Sequence, residues 1–321
     1  MKFLLPFLFS FGISILLIPF LLWLGKKYNY KTAKRFGGLV VILVFALMIL
    51  LKRDLVITKQ ISGIVFGGLL ILLFGLWDDL KNLNWKYQLL FQIIIAVTAI
   101  SFGVRSDFIT NPFGGTIELK NTLIYFLFFI FYFLFFINSL NWLDGIDGLA
   151  GSVTLAALAV IFVLSLMPHV NQPAAAILCA AGGGTILAFL IFNWHPAKII
   201  AGTAGAWFFG FLLASLSIFA GAKIATVLLA TLIPVLDLLR VIWERYRAGQ
   251  SVFAGNDGRH LQHKLLKLGL GERQIVFFVT AASVLIGAVA LNVSAIGKMI
   301  FIVLFSISYF GLIGIIGATR S

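Results

Sequence analysis

Charged side chains are scarce in this chain: Asp, Glu, Lys and Arg make up 11% of its 321 residues, whereas 61% are hydrophobic. Soluble domains usually carry about a quarter charged residues, so the composition excludes an ordinary soluble protein. The mean hydropathy of +1.10 agrees with this conclusion. We therefore expect an integral membrane protein, with residues 1–321 forming a single domain.

Cysteine is nearly absent, and the single residue of this type, Cys179, excludes an intrachain disulfide. It lies within an apolar run, where a small buried hydrophobic role is the simplest interpretation. The chain also has no P-loop, dinucleotide-binding or zinc-protease pattern, and no Gly-x-Ser-x-Gly nucleophile elbow. Its net charge of +13 is explained by basic residues at a membrane face, so no nucleic-acid partner is expected.

Long apolar runs fill most of the chain, and each is long enough to cross about 30 Å of hydrocarbon. Their apolarity is continuous rather than alternating, which predicts helices and not barrel strands. We predict an all-α polytopic protein with about eleven spans, or ten if the two runs around residues 221–223 form one. The runs are 3–24, 37–51, 60–77, 87–104, 121–140, 149–167, 174–192, 203–221, 224–240, 274–292 and 299–317. The first run is too long for a secretory signal and lacks a cleavage site, so it is expected to be retained.

Basic residues predict the orientation of these spans. The apolar runs are separated by short polar breaks, and every second break is expected on the same side of the membrane. One set of alternate breaks contains sixteen of the 24 Lys and Arg, counting Arg240 at the edge of a break. The positive-inside rule places these breaks on the cytoplasmic side of the inner (cell) membrane. The N-terminus is then expected outside and the C-terminus in the cytoplasm. The breaks are 25–36, 78–86, 141–148, 193–202, 241–273 and the C-terminus. The opposite break 105–120 contains Asn-Pro and Gly-Gly, which predict a small outer hairpin.

Eight of the eleven carboxylates fall on the side that the basic residues mark as cytoplasmic. Acids at the ends of membrane spans are costly, so their convergence on one face predicts a functional site formed by the cytoplasmic loops. Holding a divalent cation against a phosphorylated substrate is the function that fits them best. They are Asp78, Asp79, Asp144, Asp147, Asp237, Glu244, Asp257 and Glu272.

The adjacent acids Asp78 and Asp79 close the third run. Two neighbouring like charges destabilise each other unless a cation or a basic partner lies nearby. A solvated helix end that also carries Lys81 and Lys86 is the alternative interpretation.

The segment NSLNWLDGIDGLAGS has the most specific pattern. Asp144 and Asp147 each precede a glycine, which lets the backbone approach a ligand closely. Oxygen ligands at this short spacing suit Mg²⁺, and the amides at the start of the next span could receive phosphate. An ordinary loop between two helices is the alternative.

Two further segments carry polar residues on the same side. Asn193 and Lys198 could bind a base and a phosphate, or they could belong to an ordinary interfacial helix cap. In the stretch 240–273, Arg259 suits phosphate oxygens, and His260 and His263 share a helical face if that piece is helical. A basic loop lying on anionic lipid headgroups is the alternative.

With these motifs the chain resembles the polyprenyl-phosphate N-acetylhexosamine-1-phosphate transferases of glycosyltransferase family 4, and most closely the bacterial GlcNAc type. The resemblance rests on LWDDLKNLNWKYQLLFQ, SFGVRSDFITNPFGGTIEL, NSLNWLDGIDGLAGS and the stretch from PVLDLLRV to GERQ. It implies transfer of GlcNAc-1-phosphate from a UDP-sugar to undecaprenyl phosphate, giving polyprenyl-diphosphate-sugar and UMP at the start of cell-envelope glycan synthesis. The implied partners are a UDP-N-acetylhexosamine, a polyprenyl phosphate and the lipid bilayer, and a homodimer is compatible. The implied cofactor is Mg²⁺, with Mn²⁺ as a substitute.

The resemblance also assigns roles to particular residues. The implied catalytic residues are Asp78, Asp79, Asp144, His260 and His263, of which the three aspartates also hold the metal. The implied substrate-binding residues are Asn141, Gly145, Asp147, Asn193, Lys86 and Arg259, with Gly145 and Asp147 near the uracil.

One departure from the family pattern concerns the metal. The family usually has an aspartate that binds magnesium at the position of Thr203, and a neutral hydroxyl is a far poorer ligand. Three explanations stay open: the remaining acids hold the metal, the chain is a weakened or inactive member that binds lipid or nucleotide, or Thr203 reflects a change made to the protein. A cation or metabolite transporter is the alternative from another class, but its acids should lie in the middle of the spans.

Overall fold

The computed structural model describes residues 1–28, 34–111, 113–118, 121–221, 224–252 and 257–318, with side chains up to residue 314. Within these ranges the chain forms thirteen helices and one two-stranded hairpin. The helices are α1 (Leu4–Lys27), α2 (Gly37–Leu51), α3 (Lys59–Lys81), α4 (Trp85–Ser101), α5 (Thr122–Leu143), α6 (Leu149–Leu166), α7 (Pro173–Asn193), α8 (Gly202–Phe219), α9 (Ile224–Ala230), α10 (Leu232–Arg247), α11 (Leu261–Lys267), α12 (Glu272–Asn292) and α13 (Ala295–Ala318). The strands β1 (Phe108–Thr110) and β2 (Thr116–Glu118) pair antiparallel.

The predicted class, an all-α polytopic membrane protein, is confirmed. By length and composition, eight helices in the described ranges could each cross a membrane, and α9 with α10 would make a ninth as one broken span. Two further helices, α2 and α4, are apolar but shorter, at 15 and 17 residues. The predicted run 224–240 is corrected to two helices bent by 81° at Thr231.

The helices differ sharply in their position within the bundle. In the most apolar stretches of α7 and α8, 83% of the residues are buried, compared with 11% in α13. Helix α8 therefore forms the centre, where Trp207, Phe208 and Phe211 are completely buried. Helix α1 reaches α7 closely because Gly184 has no side chain: a Cβ there would lie 2.3 Å from the carbonyl oxygen of Phe7. Small residues at such crossings allow close helix packing in membranes.

The same packing gathers several helix ends at one end of the bundle. The amides of Gly37 and Gly38 donate to the carbonyl oxygens of Ile200 and Ala201, at 3.1 and 3.0 Å. This pairing holds the start of α2 against the start of α8, where α3 ends. The hairpin follows α4 and precedes α5, so it lies at the far ends of these helices from the 141–148 turn.

Candidate active site

The paired aspartates meet the beginning of α8. They lie in the last turns of α3, which corrects the expectation that residues 78–79 form a break between helices. One carboxylate oxygen of Asp79 accepts the Thr203 amide at 2.8 Å, and the other accepts the Ala204 amide at 3.3 Å. Asp79 therefore caps the N-terminus of α8, where unsatisfied amides favour a negative charge.

Asp78 has a different environment from its neighbour. One of its oxygens accepts the Leu83 amide and the Gln88 side-chain amide, both at 2.9 Å, and the other accepts the Thr203 hydroxyl at 2.6 Å. Three donors thus satisfy a side chain that is almost completely buried. In this arrangement Asp78 joins the ends of α3, α4 and α8, and its oxygens point to protein donors.

Gly202 makes the approach of Asp79 to α8 possible. Its φ of +68° lies in the left-handed region that favours glycine. A Cβ at this position would also lie 2.6 Å from a carboxylate oxygen of Asp79 and 2.5 Å from the carbonyl oxygen of Arg35. The glycine is therefore required both by the backbone conformation and by the space.

A first cavity, of about 370 Å³, opens beside this junction, and we call it the acid cavity. Asp79, Asp144 and Asp147 all line it. The remaining lining residues are Arg35, Asn141, Gly145, Ile146, Asn193, Ile200, Gly202 and Thr203. Four of the predicted cytoplasmic breaks, 25–36, 78–86, 141–148 and 193–202, thus meet around one space.

Asp144 is the acid in this cavity that protein contacts satisfy least. Among the described residues, no hydrogen-bond donor contacts its carboxylate, although the residue is half-buried. Burial raises the pKa of Asp144 well above its usual value, and the charges of Asp79 and Asp147 raise it further. An unpaired carboxylate among other acids is a position where a divalent cation would be stabilising.

We expect Asp144→Asn to stabilise the cation-free protein against heat, and more strongly at pH 8 than at pH 5. Because the folded pKa of this carboxyl is raised, the unfolded chain loses the proton first, at about pH 3.9. The free energy of unfolding therefore falls as the pH rises from there toward the folded pKa, and Asn removes this penalty. Thermal unfolding in detergent with a chelator measures the effect, with Asp54→Asn in an exposed ion pair as the control. Equal midpoints for Asp144→Asn and wild type at both pH values would contradict the prediction.

A second cavity, of about 280 Å³, lies on the other side of the same turn, and we call it the histidine cavity. It shares Asn141, Asp144 and Gly145 with the acid cavity, so the turn forms a wall between the two. Its other lining residues are Trp85, Gln88, Leu89, Gln92, Asn138, Trp142, Arg245, His260, Gln262 and His263. The structure thus brings both predicted histidines next to Asp144.

Three side chains give the histidine cavity its chemistry. Arg245 is 1% exposed, and its guanidinium lies 5.0 Å from the centre of the Trp142 ring while it pairs with Asp257. Burial is the main cause that lowers the pKa of His263, and the nearby Lys267 charge lowers it further. Nε2 of His263 has no hydrogen-bond partner among the described residues. The cavity therefore offers a cation and an uncharged imidazole nitrogen to a ligand.

Gln262 and Gly145 determine how closely α11 approaches the turn. The Gln262 amide nitrogen donates to the Trp142 carbonyl oxygen at 2.9 Å, which leaves its buried Oε1 unpartnered in the described part of the chain. A Cβ on Gly145 would lie 2.7 Å from that amide nitrogen. Gly145 thus allows the two segments to meet across 117 residues of sequence, between positions 145 and 262.

A third group of polar residues was not identified from the sequence. His195 Nδ1 lies 3.0 Å from a carboxylate oxygen of Asp147 and 3.1 Å from one of Glu272. The Asp147 oxygen also accepts the Ala197 amide at 2.9 Å. His195 was not among the predicted site residues, and the one signal for it in the sequence is its position two residues after Asn193. By composition and spacing, Asp147, His195 and Glu272 could hold a metal ion.

The remaining predicted substrate-binding residues have varied positions. Asn193 lines the acid cavity, but its side chain accepts the Gly148 amide at 2.9 Å and donates to the Ile199 carbonyl oxygen at 2.8 Å. Lys86 is exposed over the Trp85 ring, outside the lining of both cavities. Arg259 contacts Asp257 and Gln250 and also lies outside both linings. Arg245 lines the histidine cavity, where Arg259 was expected.

Comparison with known proteins places this architecture in a family. Residues 61–221 match glycosyl transferase family 4. The chain is 30% identical over 285 residues to the decaprenyl-phosphate N-acetylglucosaminephosphotransferase of Mycobacterium leprae. The aligned region covers 79% of this chain and 71% of that protein. Over 315 residues it is 26% identical to the probable undecaprenyl-phosphate N-acetylglucosaminyl 1-phosphate transferase of Bacillus subtilis, covering 90% and 82% respectively.

A bundle of apolar helices with two polar cavities at one end defines a multi-pass membrane protein with an enzyme-like site. The matches identify the class: the chain belongs to glycosyl transferase family 4. The resemblance that the sequence motifs indicated is thereby confirmed.

Proposed function

We propose that this protein transfers a sugar-1-phosphate, most simply GlcNAc-1-phosphate, from a UDP-sugar to a polyprenyl phosphate. The products would be polyprenyl-diphosphate-sugar and UMP, in the first membrane step of a cell-envelope glycan. The observation that carries the proposal is the pair of cavities that share Asn141, Asp144 and Gly145. The relatives from Mycobacterium leprae and Bacillus subtilis, both named for this kind of reaction, support it.

The chemistry of the two cavities suits the two substrates. Arg245, His260 and His263 offer a cation and imidazole nitrogens to phosphate oxygens. Gly145, Asp147 and Asn193 would lie near the uracil, the position that the family resemblance implies. The hydrocarbon tail of the acceptor would stay in the bilayer against the apolar helices, so donor and acceptor meet at the cytoplasmic face of the cell membrane.

The carboxylates in and beside the acid cavity differ in how well they could bind a divalent cation. Asp144 has no donor in the described part of the chain, and Asp79 faces the same cavity, so these two residues would hold Mg²⁺. Asp78 fits less well because three protein donors already occupy its oxygens. When bound, the cation supplies neutralisation of the diphosphate charge. Asp79 itself would also hold the start of α8 in place beside the substrate.

The test is product formation by the purified protein in lipid nanodiscs with Mg²⁺, undecaprenyl phosphate and radiolabelled UDP-GlcNAc. We expect a labelled lipid product, release of UMP, and loss of both when a chelator is added. A chelated sample restored with Mg²⁺ controls for damage to the protein. If no product forms with UDP-GlcNAc or with other UDP-N-acetylhexosamines while UMP still binds, the transfer function is wrong.

A second candidate function is a relative that binds nucleotide or lipid without turnover, and one contact favours it. The Thr203 hydroxyl donates to Asp78 at 2.6 Å, where the family resemblance led us to expect a metal-binding carboxylate. A neutral donor thus satisfies this Asp78 oxygen without a cation. The same assay separates the two functions, because this candidate predicts binding of UMP with no lipid product.

A further inference from the structure

Asp237 and His260 form a buried pair behind the histidine cavity. A carboxylate oxygen of Asp237 lies 2.8 Å from Nδ1 of His260, and the two residues are only 3% and 5% exposed. Asp237 comes from α10 and His260 immediately precedes α11, so the contact joins segments 23 residues apart. In the sequence Asp237 could not be distinguished from an ordinary buried acid.

Four groups donate to the Asp237 carboxylate. Besides His260, the Arg240 guanidinium contacts it at 2.6 Å, the Leu261 amide at 2.9 Å and the Tyr309 hydroxyl at 3.1 Å. A carboxylate that accepts this many hydrogen bonds, one from an arginine, is held in its ionised form and can only accept. His260 must therefore carry its proton on Nδ1, the nitrogen that faces Asp237.

The other ring nitrogen of His260 is left for the cavity. No hydrogen bond to Nε2 is found among the described residues, and His260 lines the cavity with Asn141 and Asp144. The Trp142 ring packs edge-on against the imidazole, with ring centres 5.3 Å apart, and limits its rotation. With Nδ1 protonated, a neutral imidazole presents Nε2 as an acceptor.

We propose that Asp237 is a positioning residue that aims Nε2 of His260, as a proton acceptor, at the phosphate of the polyprenyl substrate. This inference rests on the proposed function. In the step, the hydroxyl proton of the lipid phosphate passes to Nε2, and the same oxygen forms a bond to the β-phosphorus of the UDP-sugar. The bond from that phosphorus to the bridging oxygen breaks, and UMP leaves with the oxygen and the electron pair.

Charged and titratable groups lie around His260 on several sides. They are Asp237, Arg240, Glu244 and Arg245 from α10, His263 and Lys264 from α11, Asp144 from the turn, and Tyr309 from α13. Of these, Asp237 alone among the described residues is hydrogen-bonded to the His260 ring.

The kinetic test compares Asp237→Asn with Tyr309→Phe. Asn can donate its amide hydrogen to Nδ1, which moves the imidazole proton to Nε2 and removes the acceptor. We expect kcat to fall by about 10²–10⁴-fold, the usual contribution of a general base, with KM for UDP-GlcNAc little changed. Tyr309→Phe removes a neutral donor from the same carboxylate and should change kcat by less than about threefold. An active wild type together with an unaffected Asp237→Asn would overturn the inference and leave the proposed function intact.

A second measurement does not require turnover. The chain has four histidines, so ¹⁵N spectra of histidine-labelled protein in nanodiscs are simple, and His260→Gln assigns the signal. We expect the neutral His260 ring of the wild type to carry its proton on Nδ1 and to leave Nε2 unprotonated. In Asp237→Asn, if it folds, the two nitrogens should exchange roles. Observation of the opposite tautomer in wild type would overturn the inference even if the protein proved inactive in the transfer assay.

Discussion

Replacement of Asp79 with Asn is expected to reduce the formation of lipid-linked sugar phosphate by about a thousandfold. The carboxylate faces the acid cavity and stands with Asp144 where the diphosphate charge must be balanced. Loss of one negative ligand removes several kcal/mol of charge stabilisation, which corresponds to a factor of this size. Asn retains an oxygen for the Thr203 amide, so the start of α8 should remain capped.

Initial rates at saturating UDP-GlcNAc, with Mg²⁺ varied, measure this effect. Asp54→Asn is the matched control, because Asp54 is exposed in an ion pair with Lys52 and lies outside both cavity linings. Wild-type rates in Asp79→Asn would show that this carboxylate only holds α8 in place. A rate loss with a lowered melting temperature in the absence of Mg²⁺ would point the same way.

Replacement of Thr203 with Asp is expected to tighten the binding of Mg²⁺ by more than about tenfold, because ligand charge governs the affinity of such sites. The Thr203 hydroxyl lies 2.6 Å from an oxygen of Asp78, and the residue lines the acid cavity with Asp79. A third carboxylate there would repel the other two in the absence of metal. The variant should therefore melt below wild type with a chelator present and gain more stability from added Mg²⁺.

Isothermal titration with Mg²⁺ and melting curves measure this second effect. Thr203→Asn supplies the same shape without the charge, and Thr203→Val removes the hydroxyl donor to Asp78 while keeping the volume. If Thr203→Asp binds Mg²⁺ no more tightly than Thr203→Asn, position 203 is not part of a metal site in this chain. If transfer appears only in Thr203→Asp, the wild type is the non-catalytic relative that the Thr203–Asp78 contact favours.

The amino-acid sequence was sufficient for the class of fold and for the set of polar breaks that line the two cavities. Hydropathy and the positions of Lys and Arg can be read directly from consecutive residues. The bilayer imposes a helix on each long apolar run, and the Lys and Arg bias orients the runs. The Gly-Gly signal in 105–120 likewise agreed with the pairing of β1 and β2 because turn chemistry is local. The breaks that contain Asp79, Asp144 and His260 were predicted to meet because they are alternate breaks, which lie on the same side of the membrane.

The contacts of the individual polar residues were decided only by the packing of the helices. Asp78 and Asp79 are neighbours in the chain and both accept hydrogen bonds from the protein, yet only Asp79 lines the acid cavity, because a helix turns by about 100° per residue. Asp237 acquires a partner in His260, and His195 meets Asp147, only when separate helix ends come together. Hydropathy reports how favourably each residue transfers into lipid. These contacts instead join residues 23 to 125 positions apart and depend on how the side chains pack, so the spacing of residues in the sequence does not predict them.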